Sequence, residues 1–187
     1  MLEWEEFCGD CMKKTTSYEY GFGLFVYNHN MQESISRFKY QGRQEYAGYY
    51  AAEMYKKYGK WMKEISAQAL IPVPIHKNRF RKRGYNQAKL IADELEKLSN
   101  IPVWNELLIR SRDTLPQKEL SNKERRENLY GAFQINKKDG MLNQMPKCVI
   151  LIDDIYTTGS TLEECSKVLK NTGVQKIFFL CVCIGKG

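Results

Sequence analysis

Two adjacent carboxylates, followed by a turn made of small hydroxyl residues, stand in the stretch VILIDDIYTTGSTL, residues 149–162. Asp153 and Asp154 close an apolar run, and Thr157, Thr158, Gly159, Ser160 and Thr161 come after it. A helix that starts near Ser160 exposes backbone N–H groups with no intrahelical partner, and its dipole favours negative charge there. A phosphate reaches those donors only where side chains leave room. Gly159 and its small neighbours leave that room, and their hydroxyls add donors. The acids would repel the same phosphate, but they suit ligand hydroxyls or a bridging divalent cation. A phosphorylated ribose offers both partners. The GxxxxGK[ST] pattern of a Walker loop is absent. An ordinary capped strand-to-helix turn could carry the small residues alone, but two acids at the end of a buried run weigh against it.

A second concentration of chemistry is HKNRFRKRGYNQAK, residues 76–89, with six Lys or Arg and no acid. Arg79, Arg81 and Arg83 can grip a polyanion through forked hydrogen bonds, and Gly84 frees the turn before the next helix. His76 by itself is more often structural than ligating. Residues 110–128 add six basic residues against four acids. Phe80, Tyr85 and Tyr130 lie in or beside these segments, and cationic grooves with aromatic platforms suit single-stranded nucleic acid. The plainer alternatives are a solvated basic face and, for residues 110–128, an amphipathic helix with surface pairs.

These groups need a frame. The 187 residues suffice for one domain with a full core. The net charge of +7 favours an anionic partner: phosphate, nucleotide or nucleic acid. No apolar run approaches a membrane span and the first residues lack a signal pattern, so a cytoplasmic protein without membrane insertion is expected. Of six cysteines, Cys148, Cys165, Cys181 and Cys183 sit in apolar patterns and are expected as small buried hydrophobes. Cys8 and Cys11 form a CxxC pair, half of a four-cysteine Zn2+ site, with no second pair nearby.

Strands are expected in GFGLFVYNHN, AQALIPVPI, PVWNELLI, KCVILIDDI and GVQKIFFLCVCI. Met31, Ile35 and Phe38 lie at helical spacing in a helix that ends near Gly42. A second helix covers residues 45–60, and a third starts near Tyr85 with Ala88, Ile91, Ala92 and Leu95 on one face. Leu162, Cys165 and Leu169 form the inner face of the helix after the hydroxyl turn. Residues 1–20 read as loose, and part of residues 110–133 as a long loop. Strands alternating with helices mean an α/β fold with a mostly parallel sheet. Ligands of such sheets bind beyond the carboxyl ends of the strands, where Asp153 and its followers fall.

VILIDDIYTTGSTL resembles the signature by which type I phosphoribosyltransferases bind 5-phosphoribosyl 1-diphosphate (PRPP). FVYNHNMQESISRFKYQG, IPVPIHKNRFRKRGYNQA and LSNKERRENLYGAF resemble the ComF family of ComFC-like competence proteins. With the signature, these stretches cover most of the chain from about Phe25. The resemblance implies a type I phosphoribosyltransferase-like sheet flanked by helices, spanning residues 21–187, with a small hood from the N-terminal region. It implies PRPP with Mg2+ as ligand, and transfer of the phosphoribosyl group to an acceptor with loss of diphosphate. By position, Thr157, Thr158, Gly159, Ser160 and Thr161 would hold the 5-phosphate, and Asp153 and Asp154 the ribose hydroxyls. His76, Lys77, Arg79, Arg81 and Arg83 would meet the diphosphate. Gln117, Arg125, Arg126 and Asn128 match a flexible loop that closes over the substrate. No side chain stands out as a nucleophile or general base, which fits an oxocarbenium-like transition state governed by positioning and charge. The family is linked to handling single-stranded DNA in natural transformation, so such DNA and other DNA-uptake proteins are expected partners. The alternative to a transferase is a non-catalytic single-stranded DNA-binding module with a regulatory PRPP site. Members usually carry an N-terminal four-cysteine zinc module; residues 1–20 would be its remnant, with Cys8 and Cys11 matching only its last pair.

Overall fold

The computed structural model describes residues 16–114, 122–136 and 145–185. Among them, four strands form one parallel sheet in the order β1 (Gly21–Val26), β6 (Lys176–Ile184), β5 (Cys148–Tyr156), β2 (Ala69–Pro72). Alternation along β5 explains its continuous apolar run. Ile150 and Ile152 enter one core with Leu70 and Leu180, whereas Val149 and Leu151 enter another with Ile71 and Phe179. A strand covered on both faces needs apolar residues at every position.

The first core is closed by α1 (His29–Tyr40), α2 (Tyr46–Glu64) and α4 (Gln87–Ser99), through residues such as Phe38, Met54 and Ile91. The second is closed by α6 (Ser160–Lys170), through Leu162, Cys165 and Leu169, together with α5 (Asn122–Leu129) and the antiparallel pair β3 (Leu108–Arg110) and β4 (Phe133–Ile135). Between β2 and α4 lies α3 (Lys77–Arg83), a short helix with no buried residue. The chain leaving β2 thus reaches a helix on one face of the sheet, and the chain leaving the adjacent β5 reaches a helix on the other. Neighbouring strands whose connections part in this way leave a crevice at their carboxyl ends.

The described part is an α/β structure of the type I phosphoribosyltransferase-like class, and α1 with its flanking turns forms the N-terminal hood. Helix ends follow local chemistry. Asn28 and Asn86 cap α1 and α4 through their side chains, and Gly42 turns the chain after α1 with φ +70°. Cys148, Cys165, Cys181 and Cys183 are buried free thiols, and burial pushes the Cys183 thiol up to about 12. No helix among the described residues is long and apolar enough to cross a membrane.

Two local expectations need correction. PVWNELLI is not a continuous strand: Val103 makes one isolated bridge to Leu70, a turn through Asn105 and Glu106 follows, and β3 starts only at Leu108. Residues 110–133, expected as loop in part, contain α5. Residues 16–20 are packed, not loose. The Ser17 N–H and hydroxyl donate to Glu163 at 2.8 and 2.9 Å, and the Tyr18 ring sits edge-on to Phe179. Cys8, Cys11 and Gln117 lie outside the described residues.

Candidate functional site

A cleft of about 780 Å³ opens where the sheet crevice meets the hood. Its floor is the end of β5 and the turn into α6. Alternation sends the two acids to different sides. Asp153 continues the row of Val149 and Leu151, within electrostatic reach of Arg110 at the end of β3. Asp154 continues the row of Ile150 and Ile152 and meets α1, where Lys39 Nζ lies 2.8 Å from its Oδ2. Both side chains of that pair are mostly shielded, 17% and 15% exposed, so it is screened less than a surface pair. The Asp154 N–H donates to Asp153 Oδ1 at 2.8 Å.

Burial first, and then the neighbouring Asp154 charge, raise the Asp153 carboxyl to about 7. The Asp154 N–H, Lys39 and Arg110 pull the other way. Asp153 is thus poised to change charge near neutrality unless a ligand or cation fixes it.

Thr157 and Thr161 also line the cleft. Gly159 is the residue before α6 and has φ +74°. A Cβ there would come 2.7 Å from the Tyr18 hydroxyl and 2.8 Å from the Tyr156 hydroxyl, which are themselves 3.1 Å apart. The turn is therefore kept bare by its underside as well as by its mouth. Thr158 and Ser160 differ from Thr157 and Thr161: their hydroxyls share a 2.9 Å hydrogen bond, and Ser160 is buried.

The opposite wall is cationic. Arg79, Lys82 and Arg83 of α3 line the cleft beside Arg110, Asn86 and Gln87. Arg83 donates to Gln87 Oε1 and to the Tyr40 hydroxyl, each at 3.1 Å, and its guanidinium lies 4.9 Å from the Tyr40 ring centre. Five cations therefore surround two acids, an arrangement suited to a ligand that carries several negative charges together with hydroxyls.

The strip at Lys77–Arg83 is divided by its helix. Arg79 and Arg83 reach the cleft, whereas Lys77 and Arg81, with Phe80 and Ile109, line an adjoining groove that shares Pro74, Ile75 and Arg110 with the cleft. His76 is buried as the cap of α3; its Nδ1 accepts from the Asn78 N–H at 3.3 Å and lies 3.4 Å from Asp113 Oδ2. Arg125, Arg126 and Asn128 lie on α5. Among the described residues, no group of three His, Cys, Asp or Glu could hold a metal ion by itself.

Sequence reasoning missed Lys39 and the hood residues Tyr27 and Tyr40, and it did not single out Arg110. A signal existed for two of them. Lys39 stands four residues after the buried Ile35 on α1, and Arg110 stands two residues after the buried Leu108 on β3, so each shares the inward face.

The sheet, its crevice and the hood together make a type I phosphoribosyltransferase-like fold. No family model matches the chain. It is 36% identical over 174 residues to competence protein F of Haemophilus influenzae, covering 91% of this chain and 75% of that protein. It is 33% identical over 150 residues to competence protein ComFC of Bacillus subtilis, covering 80% and 58%. DNA utilization protein YhgH of Escherichia coli O157:H7 is 26% identical over 179 residues, covering 94% and 77%. The chain belongs to the family of competence proteins F and ComFC.

Proposed function

We propose that the cleft binds PRPP and that this chain is a phosphoribosyltransferase-like protein acting in DNA uptake or use. One observation carries the reading: a glycine-capped helix start and two carboxylates on one wall face Lys39, Arg79, Lys82, Arg83 and Arg110 on the others. In this reading, the Thr157 and Thr161 end of the cleft receives the 5-phosphate against the first N–H groups of α6. Asp153 and Asp154 accept from the ribose hydroxyls, and Lys39, 2.8 Å from Asp154 Oδ2, keeps that carboxylate aimed. The cations hold the diphosphate, in the ground state and as it departs.

Mg2+ fits this donor set as a companion of the substrate, since one or two carboxylates with phosphate oxygens and waters satisfy it. When bound, it would neutralise charge on the diphosphate. The role in DNA handling draws on the names of the relatives and on the chain's positive charge.

The test is calorimetry with Mg–PRPP and with inorganic phosphate. Asp153→Asn with Asp154→Asn should weaken PRPP binding while phosphate still binds the turn. If both ligands bind as they do to the unchanged chain, the acids are structural and the ribose assignment fails.

A second reading, a single-stranded DNA-binding module, has its own support. The groove of Lys77 and Arg81 includes Phe80 and Ile109, which are 48% and 40% exposed. A cationic groove with an exposed ring suits a nucleobase stacked beside its phosphates. Filter binding across salt concentrations tests it: a steep fall of affinity with salt supports the groove, and no binding at low salt removes it.

A further inference from the structure

Gly159 gives α6 no side-chain cap, and the hydroxyls on either side of it, Thr158 and Ser160, bond to each other. The helices α1, α3 and α4 differ: the side chain before each accepts from a backbone N–H of the first turn. A side-chain cap on α6 would occupy one of the N–H groups that a phosphate needs. Leaving the cap out costs the turn a local fastening. Two residues that precede β1 stand behind the turn instead.

Ser17 meets the helix and Tyr18 meets the turn. The Ser17 N–H donates to Glu163 Oε2 at 2.8 Å and its hydroxyl to Oε1 at 2.9 Å, so both oxygens of a first-turn carboxylate are engaged. The Tyr18 hydroxyl shares a 3.1 Å hydrogen bond with that of Tyr156, the last residue of β5. The Tyr156 ring stacks on Phe179 with centres 5.0 Å apart, and the buried Tyr18 ring stands edge-on to the same Phe179 at 5.4 Å. The two phenol oxygens lie where a Cβ on Gly159 would come, within 2.7 and 2.8 Å. The brace is itself anchored, since the Glu19 N–H donates to the Ile177 carbonyl of β6 at 2.8 Å. These contacts join residues 146 and 138 positions apart, so they are supplied by the fold and not by the turn's own sequence. Ser17, Tyr18 and Glu163 are not among the residues that line the cleft.

We propose that Ser17 and Tyr18 are positioning residues for the phosphate end of the cleft: they hold the turn into α6 from behind, in place of a side-chain cap. The inference rests on the PRPP reading, which puts the 5-phosphate at this turn. A turn held in its binding shape spares the ligand the cost of ordering it. The segment ahead of β1 thereby becomes part of the binding machinery without touching the ligand.

The experiment titrates ribose 5-phosphate and, separately, Mg–diphosphate into the full chain and into Ser17→Ala with Tyr18→Phe, with thermal melting as the check on folding. Both substitutions keep the bulk of the side chain and remove only a hydroxyl. The unchanged chain should bind both ligands. The double variant should bind ribose 5-phosphate about three- to tenfold more weakly, the range for one or two lost hydrogen bonds, and Mg–diphosphate as before. Tyr58→Phe is the control for a purely structural loss. It removes a 2.8 Å bond from a phenol to the Gly23 carbonyl of β1, in the core on the other face of the sheet, and should leave both affinities unchanged. Should the double variant not fold, Tyr18→Phe alone should show the same selective loss.

Undiminished ribose 5-phosphate binding in the folded variant, whatever its melting temperature, makes the brace structural only and overturns the proposal. An equal loss of both ligands, or the same loss in Tyr58→Phe, also overturns it, because the effect is then general distortion. In each of these cases, ribose 5-phosphate binding by the unchanged chain keeps the PRPP reading alive. An unchanged chain that does not bind ribose 5-phosphate brings down the PRPP reading, and the brace with it.

Discussion

Gly159 is constrained from two directions: its φ of +74° disfavours any L side chain, and the phenols of Tyr18 and Tyr156 occupy the space a Cβ would need. Gly159→Ala should therefore cost about 1–2 kcal/mol in backbone strain alone, with the contact adding to it, as read by denaturant unfolding. Asp153 makes a different statement. Its folded carboxyl titrates near 7, above the ordinary 3.8, so the folded state holds the proton more tightly than the unfolded chain does. That contribution is complete below the unfolded value and is lost as pH rises through about 7. Stability of the ligand-free protein should fall across that interval, and Asp153→Asn should remove this part of the fall. A pH profile of unfolding that is identical in the variant would contradict the raised folded value of the Asp153 carboxyl. The acids and the hydroxyl turn were legible in the sequence because they are contiguous and end an apolar run. Lys39 and Arg110 were not, because their use depends on α1 and β3 being folded onto the end of β5.

The short helix α3 divides a run of cations that looked uniform as text. It has no buried residue and so no apolar period to read. What defines it is chemistry at its ends: the His76 cap, and Gly84 with φ +81° after the last turn. Variants on its two sides should separate two functions. Arg83→Ser removes the contact to Tyr40 and a cation from the cleft, so PRPP affinity should drop several-fold with little effect on DNA. Arg81→Ser should leave PRPP binding alone and reduce the log-affinity against log-salt slope for single-stranded DNA by roughly 0.7 if one phosphate contact is lost. Calorimetry and filter binding on the same preparations check both, and the reverse pattern would contradict the division. The strands β5 and β6 were legible because burial on both faces leaves long apolar runs. The segment before β3 misled because Val103, Trp104 and Leu107 suggest a strand, while Asn105 and Glu106 turn the chain between them.

Lys39 with Asp154 and Tyr40 with Arg83 are among the contacts that tie the hood to the sheet domain at the cleft, and both involve residues that line the site. Hood position and ligand binding should therefore be linked. Lys39→Met leaves Asp154 without its partner in a shielded place and should cost about 1–3 kcal/mol of stability while also weakening PRPP binding. A variant as stable as the parent, with unchanged affinity, would show that the pair contributes to neither. The α/β class and the position of the crevice could be read from alternating strands and helices, but the hood's closeness to the acids could not, since 114 residues separate Lys39 from Asp153 in the chain. The PRPP-affinity expectations depend on a phosphorylated ribose lying between the two walls. The most direct measurement is calorimetry of Mg–PRPP with the unaltered protein at low salt. The expected result is saturable one-to-one binding that ribose 5-phosphate and diphosphate each reduce by competition. No heat and no competition at millimolar PRPP, with the protein folded, would contradict the assignment of this cleft.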